Sequence, residues 1–525
     1  MERRTFLKIL SSAGIVSLVS PTFAMEVCKN KVSKSSSALL ESAFRNPPFS
    51  SGVYTWWHWM NGNITKDGIT RDLEAMKANG IAGYQLFEAG SGIPIGPVES
   101  LSDEWVDLIL HTLKESERLG LEFAMHNCPG WSSSGGPWIT PDKAMQIITW
   151  SETKITGGKQ VRIQLPTPKH MFDYYIDTYC LAIPANMKVI PRLSILELSN
   201  RLDKDGVLTW DVPTGEWLIM RFGQTAKDQK NKSAPSKSTG LDCDKFSTEA
   251  LDYHLNCMFK RLMPAMEKIA KHSKIGLLID SYETGDQDWT SDMPAYFEQS
   301  HGYELYPFLP VLANKIVESE ESTKRFLFDF RRVRADMFAE RYYGHFQKRC
   351  KEKGIITYTE PYGGNMMEEL QVAQQLDINM GEFWCGQTVL WANYKYNRTV
   401  KQVASIAHTL GGKVVGAEAF TSEPDADKWL QYPYALKSLG DYMFTRGLSR
   451  IYFHRFAHQP HPTAAPGMTM GAWGLHFDRT NTWWKPGKAW IEYLNRCQYI
   501  FQSSTFYGDI LYLSLIHISE PTRPY

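Results

Sequence analysis

The feature that most constrains this chain is a unit that recurs from Gly52 onward. Each unit is a short apolar or aromatic run, a polar turn and an amphipathic helix. Short apolar runs that alternate with helical periodicity predict parallel strands joined by crossover helices. Eight such strands predict an α/β fold, a closed (β/α)8 barrel of the TIM type. The predicted strands are Tyr54–Trp59, Gly83–Phe87, Glu122–His126, Ile275–Ser281, Ile355–Thr359, Asp377–Gly381, Val414–Ala417 and Arg450–His454.

One interval breaks this rhythm, between the third and fourth predicted strands. It spans about 150 residues, far more than one crossover helix requires. Helical patterning returns only near Ser247, and five short runs bounded by Pro, Gly and Asn precede it. We predict an antiparallel β domain inserted after barrel strand three; a long irregular loop is the alternative. The five runs are Gln160–Gln164, Asp177–Ile183, Leu193–Leu198, Gly206–Val212 and Glu216–Phe222.

The N-terminus predicts an export signal. Arg3 and Arg4 precede an apolar stretch from Ile9 to Val19, and small residues lead to a predicted cleavage after Ala24. The Arg-Arg-x-Phe-Leu-Lys pattern resembles a twin-arginine signal, with an ordinary secretory signal as the alternative. We expect a bacterial protein exported to the periplasm or cell surface, with no further integral membrane segment.

These patterns divide the chain into six segments. Residues 1–24 are the signal, and the Ser- and Lys-rich residues 25–48 are a linker. The barrel occupies residues 49–148 and 247–500, and the inserted β domain occupies residues 149–246. We expect residues 501–525 to be a truncated end, because the tail from Ser514 resembles a translated sequencing adapter.

Composition narrows the class of partner. Lys+Arg and Asp+Glu number 57 each, so no net charge attracts nucleic acid or an anionic membrane. Aromatic residues make up 13% of the chain, and many of its 17 Trp stand beside polar residues. Such rings suit the apolar faces of sugars, although they are also common in cores. We therefore expect a carbohydrate partner, and no motif indicates an oligomeric state.

Carboxyl groups recur where a barrel has its reactive end, at the carboxyl ends of the strands. Predicted strands two, four, five, six and seven each end near a Glu, interleaved with Trp, Tyr and Phe. A salt bridge or helix cap could explain any single Glu, but five in succession favour a functional site. The five are Glu88, Glu283, Glu360, Glu382 and Glu418.

This pattern is typical of glycoside hydrolysis, which needs one carboxylic acid and one carboxylate flanking the scissile bond. Aromatic surroundings raise the pKa of one carboxyl enough for it to act as an acid near neutral pH. Strands four and seven lie across the barrel mouth, so Glu283 and Glu418 are the candidate catalytic residues. The predicted substrate-binding residues are His58, Trp59, Asn61, Glu88, Asn127, Trp131, Tyr282, Glu360, Trp384 and His454.

The surplus carboxylates can bind sugar hydroxyls or a hard cation such as Ca²⁺. Glu360 and Glu382 are the candidate calcium ligands. Zinc is disfavoured, because His454, His458 and His461 lie in a segment interrupted by prolines and His58 stands alone between tryptophans.

Longer motifs resemble the α-L-rhamnosidases of glycoside hydrolase family 106. The matching segments are Trp56–Thr65, Gly68–Leu73, Asn127–Gly136, Pro213–Trp217, Asp280–Glu283 and Gly416–Phe420. The resemblance implies a barrel with appended β domains, an inverting mechanism and a calcium ion near the sugar. It further implies that Glu283 is the general acid and Glu418 the base, with Glu360 and Glu382 as competitors for base or metal contact. Members usually continue into C-terminal β domains, which we expect to be missing here.

The expected activity is release of α-L-rhamnose from polysaccharide or from rhamnosylated small molecules. A hydrolase of the same architecture acting on another sugar is one alternative, because neither the barrel fold nor the pair of carboxyl groups determines which sugar is bound. A non-catalytic carbohydrate-binding protein is the other, because the aromatic residues would serve it equally well.

Overall fold

The computed structural model describes residues 34–510, apart from Ser91, Ser133, Ser273, 386–388, 424–427 and Ala472. The predicted export signal and the C-terminal tail lie outside the described residues. The described residues fall into two units, one up to Pro48 and the other from Phe49 onward. In the first unit, the described part of the predicted linker carries helix α1 (Lys34–Arg45).

Eight parallel strands of the second unit close into a barrel, which confirms the predicted (β/α)8 fold. Their bounds are β1 Tyr54–Met60, β2 Gly83–Ala89, β3 Glu122–His126, β11 Ile275–Ile279, β13 Ile356–Thr359, β14 Ile378–Cys385, β15 Gly416–Ser422 and β16 Arg450–Ala457. They pair in this order around the barrel, and β16 pairs back onto β1.

Helices of the second unit fill most connections. Thr65 caps the first of them by accepting a hydrogen bond from the Gly68 amide, and Ser102 caps the second by accepting one from Trp105. The bounds are α2 Lys66–Ala78, α3 Asp103–Leu119, α4 Thr248–Phe259, α5 Met263–Ile269, α6 Met293–His301, α7 Leu309–Leu312, α8 Glu320–Met337, α9 His345–Lys351, α10 Glu369–Ala373, α11 Val389–Thr409, α12 Pro433–Thr445 and α13 Lys488–Ser503. A π-helical turn, Phe338–Gly344, joins α8 to α9.

The insertion after β3 is an antiparallel β domain, as predicted. The bounds are β4 Gln146–Thr156, β5 Lys159–Gln164, β6 Ile176–Pro184, β7 Val189–Ile190, β8 Leu196–Glu197, β9 Val207–Val212, β10 Glu216–Ala226 and, beyond the insertion, β12 Ile316–Val317, which pairs with β7. One sheet has the order β4–β10–β6–β8, and β5 pairs with β9. The longest ladder joins β4 to β10, and β4 lies outside the predicted strands because polar residues separate its apolar ones, so that it has no continuous apolar run.

Alternation along the strands decides which side chains reach the barrel interior. On β1, Trp56 and His58 face inward, whereas Trp57 and Trp59 pack against the surrounding helices in the main hydrophobic core. All seven residues of this strand are buried, because a barrel strand is covered on both faces. None of the helices in the described residues is both long and apolar enough to cross a bilayer.

Candidate functional site

A cavity of about 360 Å³ opens at the carboxyl ends of the barrel strands. Its walls combine aromatic rings with four carboxyl groups, the chemistry expected for a sugar pocket. The described lining residues are Trp56, His58, Phe87, Trp131, Lys232, Asp280, Ser281, Glu283, Glu382, Trp384, Glu418, Thr421, His454, Met470 and Trp473.

Glu283 lies at the open side of this cavity, shortly after the end of β11. Its side chain is 43% exposed. Trp131 Nε1 donates to Glu283 Oε2 at 3.0 Å, and Lys232 Nζ donates to the same oxygen at 2.6 Å. The carboxylate is therefore held by one neutral and one charged donor while remaining open to solvent.

Glu418 lies on β15 and is almost fully enclosed, with a side chain 11% exposed. Thr421 Oγ1 donates to Glu418 Oε1 at 2.5 Å, and His454 Nδ1 lies 3.8 Å from that oxygen. Burial raises the pKa of Glu418 to about 7, and the charge of Glu283 adds to this rise. Thr421 and Arg455 act in the opposite direction, because both favour the ionised form.

Three carboxylates converge at Glu418. One oxygen each of Glu360, Glu382 and Glu418 lies within 4.8 Å of the others. Tyr362 Oη donates to Glu360 Oε2 at 2.5 Å. Burial raises the pKa of Glu360 and of Glu382 well above the ordinary value, and repulsion from neighbouring carboxylates adds to the rise. A hard divalent cation binds such oxygen sets, and a bound cation would relieve the repulsion.

Most of the residues singled out from the sequence meet at this cavity. Glu283, Glu418 and Glu382 line it together, and Glu360 joins the same carboxylate group. The remaining lining residues from the predicted set are His58, Trp131, Trp384 and His454.

Six predicted substrate contacts are not among the residues that line the cavity, and of these only Glu360 belongs to the adjoining carboxylate group. Trp59 and Glu88 are on the helix-facing side of β1 and β2, because strand alternation points them away from the interior. The side chains of the other three donate hydrogen bonds to main-chain carbonyl groups. Asn61 Nδ2 donates to the Ile93 carbonyl, Asn127 Nδ2 to the Leu278 carbonyl and Tyr282 Oη to the Gly285 carbonyl.

The predicted contacts leave out several residues that line the cavity. Trp56 could be found from its spacing of two residues from His58, and Asp280 from its position directly after a strand, whereas Phe87 lies on the face of β2 opposite to the predicted contact Glu88. Lys232 belongs to the segment that returns from the inserted domain, and Met470 and Trp473 follow β16. No local pattern marks these three as cavity residues.

Comparison with known proteins relates this geometry to a family. A model of glycoside hydrolase family 106, described as alpha-L-rhamnosidase, matches residues 45–173 and 169–517. A Formosa agariphila protein named "Putative beta-glucuronidase" is 40% identical over 503 residues, which cover 90% of this chain and 42% of that protein. A solved rhamnosidase from Novosphingobium sp. PP1Y superposes with a TM-score of 0.82 at 24% identity, over 89% of this chain and 61% of that one. This last likeness shows a shared fold, and the chain spans less than two thirds of either relative.

Proposed function

Because this chain belongs to glycoside hydrolase family 106, we propose that it is an enzyme that releases α-L-rhamnose from glycosides. We propose further that it inverts the anomeric centre with two carboxyl groups. One observation carries the proposal: Glu283 and Glu418 line the same aromatic-walled cavity at the reactive end of the barrel.

Glu283 is the proposed general acid. The leaving group must depart toward solvent, and Glu283 is the more exposed carboxyl of the pair. Its proton passes to the glycosidic oxygen as the bond between that oxygen and the anomeric carbon breaks. The Trp131 indole, bonded to Glu283 Oε2, orients the carboxyl group for this transfer.

Glu418 is the proposed general base. A carboxylate with a pKa near 7 is a strong proton acceptor that is still partly ionised at neutral pH. It takes a proton from a water molecule, whose oxygen bonds to the anomeric carbon on the face opposite the leaving group. One carbon–oxygen bond forms as the other breaks, so the configuration inverts.

The charge in the cavity supports a neutral sugar. Asp280, Glu283, Glu382 and Glu418 contribute carboxyl groups to its lining. A 6-deoxy sugar brings hydroxyls that these groups can bind and a methyl group that suits the aromatic walls. A glucuronyl group, suggested by the name of the Formosa relative, would bring a carboxylate into the same acidic space and is the competing substrate.

Calcium is part of the proposal, because the donor set suits it. Glu360 and Glu382 would hold the ion through carboxylate oxygens, beside the proposed base Glu418. A bound cation would supply positive charge that orients sugar hydroxyls and offsets the repulsion among the carboxylates. The proton transfers assigned to Glu283 and Glu418 remain those of the protein's own groups.

A panel of substrates tests the proposed function. We expect the purified chain to hydrolyse 4-nitrophenyl α-L-rhamnoside and not the matching β-D-glucuronide, with E418Q as the inactive control. Proton NMR of the first product should show β-L-rhamnose, as inversion requires. Faster hydrolysis of the glucuronide than of the rhamnoside would show that the sugar bound is glucuronic acid and not rhamnose. Release of α-L-rhamnose as the first product would contradict an inverting mechanism. Saturable rhamnose binding without hydrolysis of any glycoside would mark a binding protein instead.

A further inference from the structure

A second cavity, of about 290 Å³, lies at the opposite end of the barrel from the proposed active site. Its lining includes Val415 and Ser449, which directly precede β15 and β16. Glu418 and Thr421, farther along β15, line the sugar cavity instead. The volume lies near the lower end of the range for small-molecule sites, about 300–1,000 Å³, so this amino-end pocket suits a small ligand.

The charge of the amino-end pocket is entirely positive. Lys401, His408 and Lys413 belong to its lining, and no described lining residue is an Asp or Glu. Lys401 and His408 are two helical turns apart on α11, so they share one face of the helix. Burial lowers the pKa of His408 and the charge of Lys401 lowers it further, so the imidazole is neutral at neutral pH and the two lysines carry the charge. Neither lysine forms an ion pair with another described residue.

Aromatic rings form the apolar part of the same lining. The Phe444 and Phe501 rings stack with their centroids 5.2 Å apart and their planes at 21°. The Phe506 ring stacks on the His408 imidazole at 3.9 Å and 8°. Phe444 is buried, whereas Phe501 is 41% exposed and Phe506 is 58% exposed. Two of the three rings therefore offer uncovered apolar surface in the pocket that also holds the lysines.

Backbone contacts hold the lysine side of the pocket in place. The Val415 amide donates to Ser449 Oγ at 2.8 Å, and Ser449 Oγ donates to the Lys413 carbonyl at 3.0 Å. Gly447 has a φ of 105°, and a Cβ on it would lie 2.7 Å from Ala404 Cβ, so a glycine is required for this close approach. The turns before β15 and β16 are therefore joined, and the backbone at Lys413 has a defined position.

We propose that the amino-end pocket is a binding site for a small aromatic carboxylate. The carboxylate accepts hydrogen bonds from the Lys401 and Lys413 ammonium groups, and the ring packs against Phe501. Charge and rings together select this class of ligand. A cation is repelled, a neutral arene leaves the positive charge uncompensated, and an aliphatic anion leaves the rings in water. The pocket is separate from the sugar cavity, so the inference does not depend on the proposed function.

Calorimetric titration with matched compounds tests the site. The probe is 4-hydroxycinnamate, and the comparison compounds are its uncharged amide and acetate, which has the charge without the ring. We expect saturable binding of 4-hydroxycinnamate that is about 10-fold tighter than that of the amide, as suits two exposed ion pairs. Acetate should bind about 10-fold more weakly or less, because it buries no ring. The preference for the acid over the amide should weaken at high salt, because exposed charges are screened.

Variants of the lining assign the binding to this pocket. The double variant K401M/K413M should bind the acid and the amide with about equal affinity, whereas K401R/K413R should retain the preference because it keeps both charges. F501S should weaken the binding of both compounds by a similar factor, because the ring packs against either of them. K488M is the matched control: Lys488 begins α13 and is outside the described lining, so this variant should titrate like the wild type. Circular dichroism verifies that each variant folds.

Four results would overturn the proposal. Absence of saturable binding excludes the site, and equal wild-type affinity for the acid and the amide excludes the role of the two lysines. Acetate that binds as tightly as 4-hydroxycinnamate excludes a requirement for the ring. Unchanged binding in K401M/K413M shows that the compound binds elsewhere on the chain. Failure of the chain to hydrolyse rhamnosides contradicts the proposed function alone.

Discussion

Asp72 Oδ2 lies 2.8 Å from His458 Nδ1, although the two residues are 386 positions apart in the chain. The same fully buried carboxylate accepts hydrogen bonds from Trp57 Nε1, the Gln459 amide and Arg479 Nε. Asp72 belongs to α2, and His458 directly follows β16. These contacts join the last barrel strand to the first barrel helix where β16 pairs with β1.

Removing the Asp72 carboxylate should destabilise the whole barrel. D72A leaves the Arg479 guanidinium and several buried donors without this acceptor, and such a loss costs about 3–5 kcal/mol. D67A is the control, because Asp67 is on the same helix, is 61% exposed and pairs with Arg71 at the surface; it should cost under about 1 kcal/mol. Urea unfolding measures both. Equal midpoints would contradict a closing role for Asp72.

The acid and base can be told apart by the leaving group. E283Q should lose about 100-fold or more in kcat on a rhamnoside with a poor, alkyl leaving group, and far less on a 2,4-dinitrophenyl rhamnoside, which departs without protonation. E418Q should lose similarly on both substrates, because both need an activated water.

E74Q serves as the control for these two variants, since Glu74 is half exposed and pairs with Arg118. Circular dichroism would verify that every variant folds. If the loss of kcat depended on the leaving group in the same way in E283Q and E418Q, the assignment of Glu283 as acid and Glu418 as base would be contradicted.

The pH profile should report the ionisation of Glu418. The base acts in its ionised form, so in the calcium-free protein kcat/KM should rise with pH through a midpoint near 7, and bound Ca²⁺ should move that midpoint to lower pH. The Thr421 hydroxyl favours the ionised form of Glu418, so T421V should raise the pKa of Glu418 further. The rising limb of the pH profile of kcat/KM should then move to higher pH. T421S keeps a hydroxyl and should leave the limb close to the wild-type position. A downward shift in T421V would show that another group controls the limb.

Calcium binding can be measured without activity. We expect the chelator-treated protein to bind Ca²⁺ in a calorimetric titration and to melt at a higher temperature when the ion is restored. Mg²⁺ should act more weakly, because it demands a stricter octahedral geometry. E382Q should weaken Ca²⁺ binding, whereas E304Q, at a residue outside the carboxylate group, should not. Unchanged melting and no heat of binding would exclude the site.

The sequence is most informative about the barrel strands and their ends. Barrel strands are buried on both faces, so they are continuous apolar runs, and the residues after them fall at the reactive end of the barrel. The position of Glu283, Glu382 and Glu418 just after predicted strands is therefore enough to predict that the three share one cavity, although β14 and β15 extend past Glu382 and Glu418. The same logic does not reveal β4, whose half-exposed residues lack an apolar run.

The orientation of residues at the strand ends is the harder problem. A strand buried on both faces shows no polar–apolar alternation, so the pattern does not reveal which side chains point inward. Trp59 and Glu88 therefore resemble substrate contacts in the sequence although they face the helices. Lys232 cannot be predicted at all, because its position depends on how the inserted domain returns to the barrel.

Glu88 provides a last test, through stability instead of catalysis. Burial raises its pKa from 4.5 to about 7, and the Ser100 hydroxyl donates to its Oε2 at 2.7 Å. The folded state then binds the proton more tightly than the unfolded state, so wild-type stability should fall as pH rises from about 4.5 to 7.

The substitution E88Q removes this ionisation. Relative to wild type, it should be more stable by about 2–3 kcal/mol at pH 8 and nearly equal in stability at pH 4. Chemical unfolding at both values measures the difference, with E74Q as the exposed control that shows no such dependence on pH. A wild type more stable than E88Q at pH 8 would mean that Glu88 has an ionic partner or a role at the barrel mouth, because only such an interaction would stabilise its charged form.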